Sequence, residues 1–203
     1  MFNQALVVFF KTPVLGKVKT RLAASIGNED ALLVYKKMLQ KVLRTAYYWE
    51  ELHHGRVVFP FGYGETSSWS SFGVKRGQQQ HGKDLGLKMQ NAMRFALTKA
   101  NRVGIIGTDN PDLRVDEISK AFEKLNKADV TFGPCYDGGY YLMACRELPP
   151  TLLWDLPWSS EQTLDRLLRR CEGYHLKYNF LDKKRDIDTL EDLKSVSFAR
   201  EFL

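Results

Sequence analysis

The chain has 203 residues, 44% of them hydrophobic and 27% charged, with a formal net charge of +6. A chain of this length buries about 70% of the surface its unfolded form exposes, and this composition is too apolar for disorder and free of collagen-like or low-complexity bias. The three cysteines, Cys135, Cys145 and Cys171, are odd in number and lack CxxC pairing, which argues against a disulfide framework or a Cys-rich zinc site and reads them as small core residues.

No apolar run reaches the roughly 18 residues of a membrane span, and Ala5–Phe10 is too short for a signal-peptide core, so a cytoplasmic protein is expected. The charge is unevenly distributed. Residues 1–100 carry 15 Lys/Arg against 6 Asp/Glu, and residues 101–203 carry 15 against 18. A basic half could suit nucleic acid, but the one contiguous run, Lys183-Lys184-Arg185, is bracketed by Asp182 and Asp186, which argues against that partner.

Along the chain, Ala5–Phe10 is a continuous apolar run of strand length, as expected of an internal parallel strand covered on both faces. A polar loop follows. Asn28-Glu29-Asp30 then offers a cap and first-turn acids for a helix to about Tyr48, with Leu32, Tyr35, Leu39, Val42 and Ala46 at helical spacing. Lys36, Lys37, Lys41 and Arg44 fall on its polar side and read as a solvated face. Val57–Phe59 is a second short strand, and Pro60 to Gly77, rich in Gly, Ser and aromatics without a period, is expected to be a loop.

From Asp84 the positions Leu85, Met89, Ala92, Met93, Ala96 and Leu97 describe another helix, before a strand at Val103–Ile106. Asp116 is the expected cap of a helix carrying Ile118, Ala121, Phe122 and Leu125. Strands follow at Asp129–Phe132 and Tyr140–Ala144. Ser159-Ser160-Glu161-Gln162 has a capping-box pattern ahead of Leu164, Leu167, Leu168 and Cys171, Tyr174–Phe180 can form a strand, and Thr189 to Asp192 caps a terminal helix. Repeated β–α–β units predict one α/β domain over residues 1–203, Rossmann-like, with an open, mostly parallel sheet and helices on both faces. Ligands of such sheets sit beyond the carboxyl ends of the strands.

Three loops on that rim carry candidate chemistry. The first, Lys11 to Arg21, holds four cations and no acid: Lys11, Lys17, Lys19 and Arg21, with Gly16 permitting close backbone approach. Point charges and a forked guanidinium suit a diphosphate, although neither GxxxxGK[ST] nor GxGxxG is present. The second, Gly107 to Asp112, offers Asp109 and Asp112 at the tip of a buried strand. Such oxygen ligands suit Mg²⁺ or Mn²⁺, which takes one or two carboxylates and completes its shell with phosphate and water. Asp112 can equally be a helix cap, so Asp109 is the better candidate. The third, Gly133 to Tyr141, contains Asp137-Gly138-Gly139, either a simple turn or a carboxylate beside an acceptor hydroxyl. A further acidic cluster, Asp186-Ile187-Asp188-Thr189, precedes the last helix and reads either as a cap or as the return of a carboxylate to the metal. His53, His54, His81 and His175 form no metal-ligand pattern and receive no role. Trp158, beside Pro157, fits either stacking on a sugar or packing at a partly wet surface.

Taken together in order, Phe10-Lys11-x-Pro13-x-x-Gly16-Lys17-Val18-Lys19-Thr20-Arg21-Leu22, Gly82-x-Asp84-Leu85-Gly86, Gly107-Thr108-Asp109-x-Pro111-Asp112-Leu113, Gly133-Pro134-x-x-Asp137-Gly138-Gly139-Tyr140-Tyr141-Leu142 and Asp186-Ile187-Asp188-Thr189-x-x-Asp192-Leu193 resemble a family of small bacterial GT-A-like transferases. These belong to the nucleotide-diphospho-sugar transferase superfamily, and some are associated with arsenosugar biosynthesis. Position 110 departs from the pattern, with Asn where a small Ser or Cys is expected.

The resemblance implies a GT-A fold that binds a nucleotide-activated donor with a divalent metal. Lys11 to Arg21 would be its phosphate loop, Asp109 and Asp188 its Mg²⁺ or Mn²⁺ ligands, and Gln80 and Gly82 the readers of the base. The expected activity is glycosyl transfer from a nucleoside-diphosphate sugar to a small-molecule acceptor, with Asp137 on the acceptor side. Two alternatives stay open. One is nucleotidyl transfer from a nucleoside triphosphate to a phosphorylated small molecule, and the other is a non-catalytic nucleotide- or nucleic-acid-binding protein.

Overall fold

A computed structural model describes residues 1–158 and 160–201. Seven strands form one sheet: β1 (Phe2–Lys11), β2 (Arg56–Tyr63), β3 (Gln78–Gln79), β4 (Ala100–Ile106), β5 (Val130–Pro134), β6 (Tyr140–Cys145) and β7 (Tyr178–Phe180). Their spatial order is β3-β2-β1-β4-β6-β5-β7, and every neighbouring pair is parallel except the two that involve β6. The described residues also form six α-helices: α1 (Thr20–Ile26), α2 (Asn28–Glu51), α3 (Leu85–Leu97), α4 (Val115–Lys124), α5 (Thr163–Gly173) and α6 (Leu190–Ser195). The expected α/β, mostly parallel architecture is the one observed.

The apolar run of β1 becomes a central strand because alternate side chains feed two cores. Ala5 and Val7 join Met93, Val103, Phe132 and Leu167 on the face covered by α3 and α5. Leu6 and Val8 join Leu39, Leu43, Ile118 and Phe122 on the face covered by α2 and α4. A third, smaller core lies off the sheet, where Leu22 of α1, Val34 and Met38 of α2, Ile187, and Leu193 of α6 pack together with Phe198.

Several local expectations change. The polar loop after β1 is shorter than expected, because Thr20–Ile26 closes into α1. Val57–Phe59 lies in the first half of an eight-residue strand that runs on through Pro60 to Tyr63. Pro60 sits just before the β3 pairing begins at Phe61, so the ladder to that short edge strand does not include it. The Gly/Ser-rich stretch after β2 contains a 3₁₀ turn at Trp69–Phe72, and Trp69 is buried at 5% exposure. Its indole N–H donates to Thr12 Oγ1 at 2.7 Å and its ring meets Phe10 edge-on at 5.2 Å.

The cap of α4 is Arg114, not Asp116, and the Arg114 backbone N–H donates to Glu117. The capping pattern before α5 is displaced: the helix starts at Thr163, whose hydroxyl donates to Pro157 and Ser160 carbonyls, and Ser159 lies outside the described residues. Tyr174 ends α5 instead of opening a strand, so β7 is confined to Tyr178–Phe180. At α6 the expected capping box is present, with Thr189 Oγ1 accepting from Asp192 N and Asp192 Oδ2 accepting from Thr189 N. All three cysteines are free and buried. No helix among the described residues is long and apolar enough to cross a membrane.

Candidate active site

The chain leaves β1 toward β2 and β3 on one side and returns to β4 on the other. The loops after β1 and β4 therefore diverge, which opens a crevice at their carboxyl ends. A cleft of about 730 Å³ occupies that place, and Lys11, Lys19, Arg21, Gln80, Asp109, Asp137, Asp186 and Asp188 all line it. Gly16, Lys17 and Gly82 do not. Lys17 is exposed in a turn in which its N–H donates to Val14, and Gly82, at φ +145°, is held against the start of α3, where an added Cβ would lie 2.7 Å from Lys88 N.

The phosphate-loop candidates are fixed from behind by Tyr35 of α2. Its hydroxyl accepts from the Lys11 N–H at 2.9 Å and donates to the Lys11 carbonyl at 3.0 Å. Sequence reading placed Tyr35 on the apolar stripe of the helix, and nothing in that stripe singles out the one phenol that reaches the loop. Burial raises the Tyr35 pKa to about 12, so the phenol stays a neutral donor and acceptor. Tyr35→Phe is expected to strand both backbone groups and lower stability by about 1–3 kcal/mol, read as a shifted urea midpoint.

Beyond Lys11 the chain turns, and Lys19 adopts a left-handed backbone, φ 47° and ψ 43°, immediately before α1. Its ammonium reaches Asp109 Oδ1 at 2.6 Å and Asp188 Oδ1 at 3.0 Å. The Lys19 side chain is 5% exposed, whereas Asp109 and Asp188 are 47% and 38% exposed. Burial opposes the ammonium, but the charges of Asp109 and then Asp188 outweigh it and raise the Lys19 pKa, so Lys19 is a cation at any physiological pH. Arg21 approaches Asp188 Oδ2 more loosely, at 3.5 Å.

Asp109 and Asp188 are 79 positions apart, and the fold joins them through backbone. The segment after β7 continues parallel to β5 and past its carboxyl end, with Lys184 N donating to the Pro134 carbonyl and Ile187 N donating to the Asp109 carbonyl at 2.9 Å. Ile187, fully buried in the third core beside Leu22, locks this segment against α1. The same packing thus brings Lys19, Asp109 and Asp188 to one point.

Asp186 lies just behind them. Its Oδ2 accepts from the Cys135 thiol at 3.2 Å, while Oδ1 is buried without a hydrogen-bond partner. Burial first, and then the nearby Asp109 charge, push its carboxyl up to about 7. Sequence reading left open whether Asp186 reaches the metal, since its burial depends on the path of the chain beside and beyond β5.

Asp112 is not part of this cleft. It accepts from Lys41 Nζ at 3.1 Å and Ser197 Oγ at 2.9 Å, tying the region after α6 to α2. Burial would raise its pKa, but the hydrogen bonds from Ser197 and Lys41 prevail and lower it. A depressed carboxyl stabilises the fold above its unfolded value near 3.8 and loses that contribution as pH falls through its lower folded value. Asp112→Asn should therefore cost about 1–2 kcal/mol at pH 7, with the gap to wild type closing in denaturant titrations below about pH 4.

In the turn between β5 and β6, Asp137 Oδ1 accepts from the Gly139 N–H at 3.0 Å, which orients the carboxylate. Gly138 makes the turn possible: at φ +84° it sits so close to Glu161 that an added Cβ would lie 2.1 Å from its carbonyl oxygen. Trp158 lines the cleft and also packs on the α3 terminus at Gly86, its indole N–H buried without a partner. Tyr63 and Lys88 form an adjoining wall, with the ammonium 3.8 Å from the ring centroid. Gln80 is buried, and its amide nitrogen donates to the Phe10 and Phe61 carbonyls at 2.8 and 2.9 Å, so that donor braces strand ends. Asn110 is buried and donates to the Arg185 carbonyl at 3.2 Å.

Among the described residues, no group of three or more His, Cys, Asp or Glu is assembled to hold a metal ion alone. The donor set at Asp109 and Asp188, with the unpartnered oxygen of Asp186 behind it, fits a hard cation that takes few protein ligands and completes its shell from phosphate and water. A larger groove, about 1500 Å³, lies elsewhere and is lined by Lys37, Lys41, Arg44, Tyr47, Asp112 and Lys184. Asp112 is the one carboxylate from the candidate loops that lines it, and its Lys41 and Lys184 pair with Asp112 and Glu117.

An open α/β sheet with this order, and a cleft at its switch point, defines a protein of the nucleotide-diphospho-sugar transferase fold. The chain belongs to the DUF2064 family, described as uncharacterized protein conserved in bacteria, whose profile matches residues 52–160. That match includes Gln80, Asp109 and Asp137 but not the Lys11–Arg21 loop or Asp188. No curated protein matches the chain.

Among solved structures, a Desulfovibrio desulfuricans protein provisionally named a nucleotide-diphospho-sugar transferase is 28% identical, with a TM-score of 0.85, covering 98% of this chain and 91% of its own. The CMP:2-keto-3-deoxy-manno-octonic acid synthetase, solved with CTP, is 12% identical at TM-score 0.60, covering 98% and 100%. A cytidylyltransferase from Leptospira borgpetersenii is 12% identical at TM-score 0.58, covering 95% and 84%. The last two likenesses are of fold alone.

Proposed function

We propose that the protein is a transferase that moves a glycosyl group from a nucleoside-diphosphate sugar to a small-molecule acceptor, with Mg²⁺ or Mn²⁺ held by Asp109 and Asp188. The observation that carries this reading is the convergence of those two carboxylates with Lys11, Lys19 and Arg21 in one cleft at the strand ends. The provisional name of the 28% identical protein supports the same class.

In this reading Lys11 and Arg21 bind and orient the diphosphate, with the guanidinium able to grip two oxygens at once. The cations oppose the negative charge that grows on the leaving nucleoside diphosphate, in a cleft also walled by Trp158, Met89 and Tyr140. A bound divalent ion would supply Lewis-acid neutralisation of the same phosphate oxygens. Asp137, oriented by the Gly139 N–H, accepts the proton of the acceptor hydroxyl. Lys17 remains outside the cleft wall and contributes charge at a distance.

The test is incubation of the protein with sugar nucleotides in Mn²⁺ and with nucleoside triphosphates plus phosphorylated acceptors. Release of nucleoside diphosphate from a sugar nucleotide is the expected result. Release of pyrophosphate from a triphosphate would instead assign nucleotidyl transfer, and neither product, with no nucleotide stabilising the fold, would refute both.

A further inference from the structure

The ammonium of Lys19 occupies the place a divalent ion would need. It contacts Oδ1 of both Asp109 and Asp188, at 2.6 and 3.0 Å. The lysine approaches from the protein side, almost fully buried, while both carboxylates keep a third or more of their surface open toward the cleft. Its left-handed backbone is a conformation that a non-glycine residue keeps only where the surroundings hold it. Two cations on the same two oxygens would repel one another at close range.

We infer that Lys19 is a resident counter-ion of the carboxylate pair, displaced when a divalent ion binds and transferred to a phosphate of the incoming nucleotide. This rests on the proposed metal site at Asp109 and Asp188. Without nucleotide, a metal ion must evict the ammonium from both carboxylates that hold it. With nucleotide bound, phosphate oxygens in the same cleft accept the displaced ammonium, so metal and nucleotide each strengthen the binding of the other by the same factor. Without Lys19 the carboxylate pair is a ready cation site, and the metal no longer depends on the nucleotide.

The experiment measures Mn²⁺ alone binding to wild type and to Lys19→Gln, following free Mn²⁺ by electron paramagnetic resonance. Lys19→Gln keeps most of the side-chain length and the same backbone requirement but removes the charge. It is expected to bind Mn²⁺ at least about tenfold more tightly than wild type, within the roughly 5–150-fold span of typical couplings. Equal or weaker binding by Lys19→Gln overturns the inference.

Adding Asp109→Asn to Lys19→Gln separates the two readings. It should abolish the gained affinity. If it leaves Mn²⁺ binding intact in both backgrounds, the metal site itself is misplaced, whereas loss of binding with no gain from Lys19→Gln removes the counter-ion role alone. Should Lys19→Gln fail to fold, the ¹⁵N signal of the Lys19 ammonium in wild type gives the same decision. The expected result is a shift on Mg²⁺ titration, and a signal that stays in place while calorimetry records Mg²⁺ binding overturns the inference.

Discussion

Replacing Asp109 with Asn is expected to eliminate the Mn²⁺-dependent part of nucleotide stabilisation and to lower transfer by on the order of 10²–10³-fold, the size of effect seen when one preorganised electrostatic partner is removed. The amide keeps the shape and one acceptor oxygen but carries no charge for a cation. It also leaves Lys19, a buried ammonium, with Asp188 as its remaining close carboxylate. That should reduce stability in metal-free buffer by about 1–2 kcal/mol, less than the roughly 3–5 kcal/mol that follows when a buried charge loses its whole partner set. The two effects separate in a thermal-shift series with and without Mn²⁺ and nucleotide. A variant that keeps its full metal-dependent shift would remove Asp109 from the metal site. A lower melting temperature that Mn²⁺ and nucleotide no longer raise is the outcome the proposed chemistry requires.

The second large effect lies away from the charged residues. Trp69→Ala is expected to destabilise the protein by about 3–5 kcal/mol, the usual result of emptying a buried large aromatic site. Trp69 fills the space over Gly62 and Gly77, where added Cβ atoms would come within 2.3 and 2.7 Å of its ring. Those two glycines hold the chain close because the indole leaves no room for more, so a truncated side chain cannot be replaced by collapse of the backbone alone. Thr12, the residue after Lys11, loses its indole donor at the same time. Trp69→Phe retains most of the ring and loses the hydrogen bond, so it should cost only about 1 kcal/mol beyond its smaller volume. Urea denaturation of the three proteins checks the order wild type, Phe, Ala; an Ala variant within about 1 kcal/mol of wild type would contradict the packing role.

The regular part of the fold is legible because each element repeats its own period. The stripe Leu39, Val42 and Ala46 marks α2, and the run Ala5–Phe10 marks the centre of the sheet, since nothing but burial on both faces allows six apolar residues in succession. Local rules fail where a distant residue decides. The stretch after β2 has no period, yet Trp69 orders it by reaching Phe10 and Thr12 almost sixty positions earlier. The cap of α4 moved to Arg114 because Glu117 folds back onto its N–H, an option that the acidic first turn offers as readily as a cap at Asp116.

For the site, charge type and strand-end position were readable from sequence: Lys11, Lys19, Arg21, Asp109, Asp137 and Asp188 all line one cleft. What sequence could not separate was Lys19 from Lys17. They are two positions apart with the same side chain, and one is enclosed by carboxylates while the other stands in an exposed turn. The difference arises from the turn before α1 and from the return of Ile187 against Leu22, both products of tertiary packing. Asp112 and Gln80 show the converse. Asp112 has the right chemistry for a ligand but is engaged in holding Ser197 and Lys41, while Gln80 lines the cleft with its amide nitrogen holding two strand carbonyls.

The small third core has a dynamic consequence. The sheet is held by two clusters that do not include Leu22, Ile187 or Leu193, whereas the meeting of Lys19 with Asp188 relies on those three. A short six-residue α6 on a small apolar patch is the kind of unit that opens locally at lower free energy than the whole domain. Amide hydrogens of Ile187 and Leu193 should therefore exchange faster than those of Val7 or Ile105, even though Ile187 is fully buried. The carboxylate pair would then exist only while that corner is closed, so the lifetime of the closed corner, separate from the stability of the sheet, sets how often the protein is competent to bind its ligands.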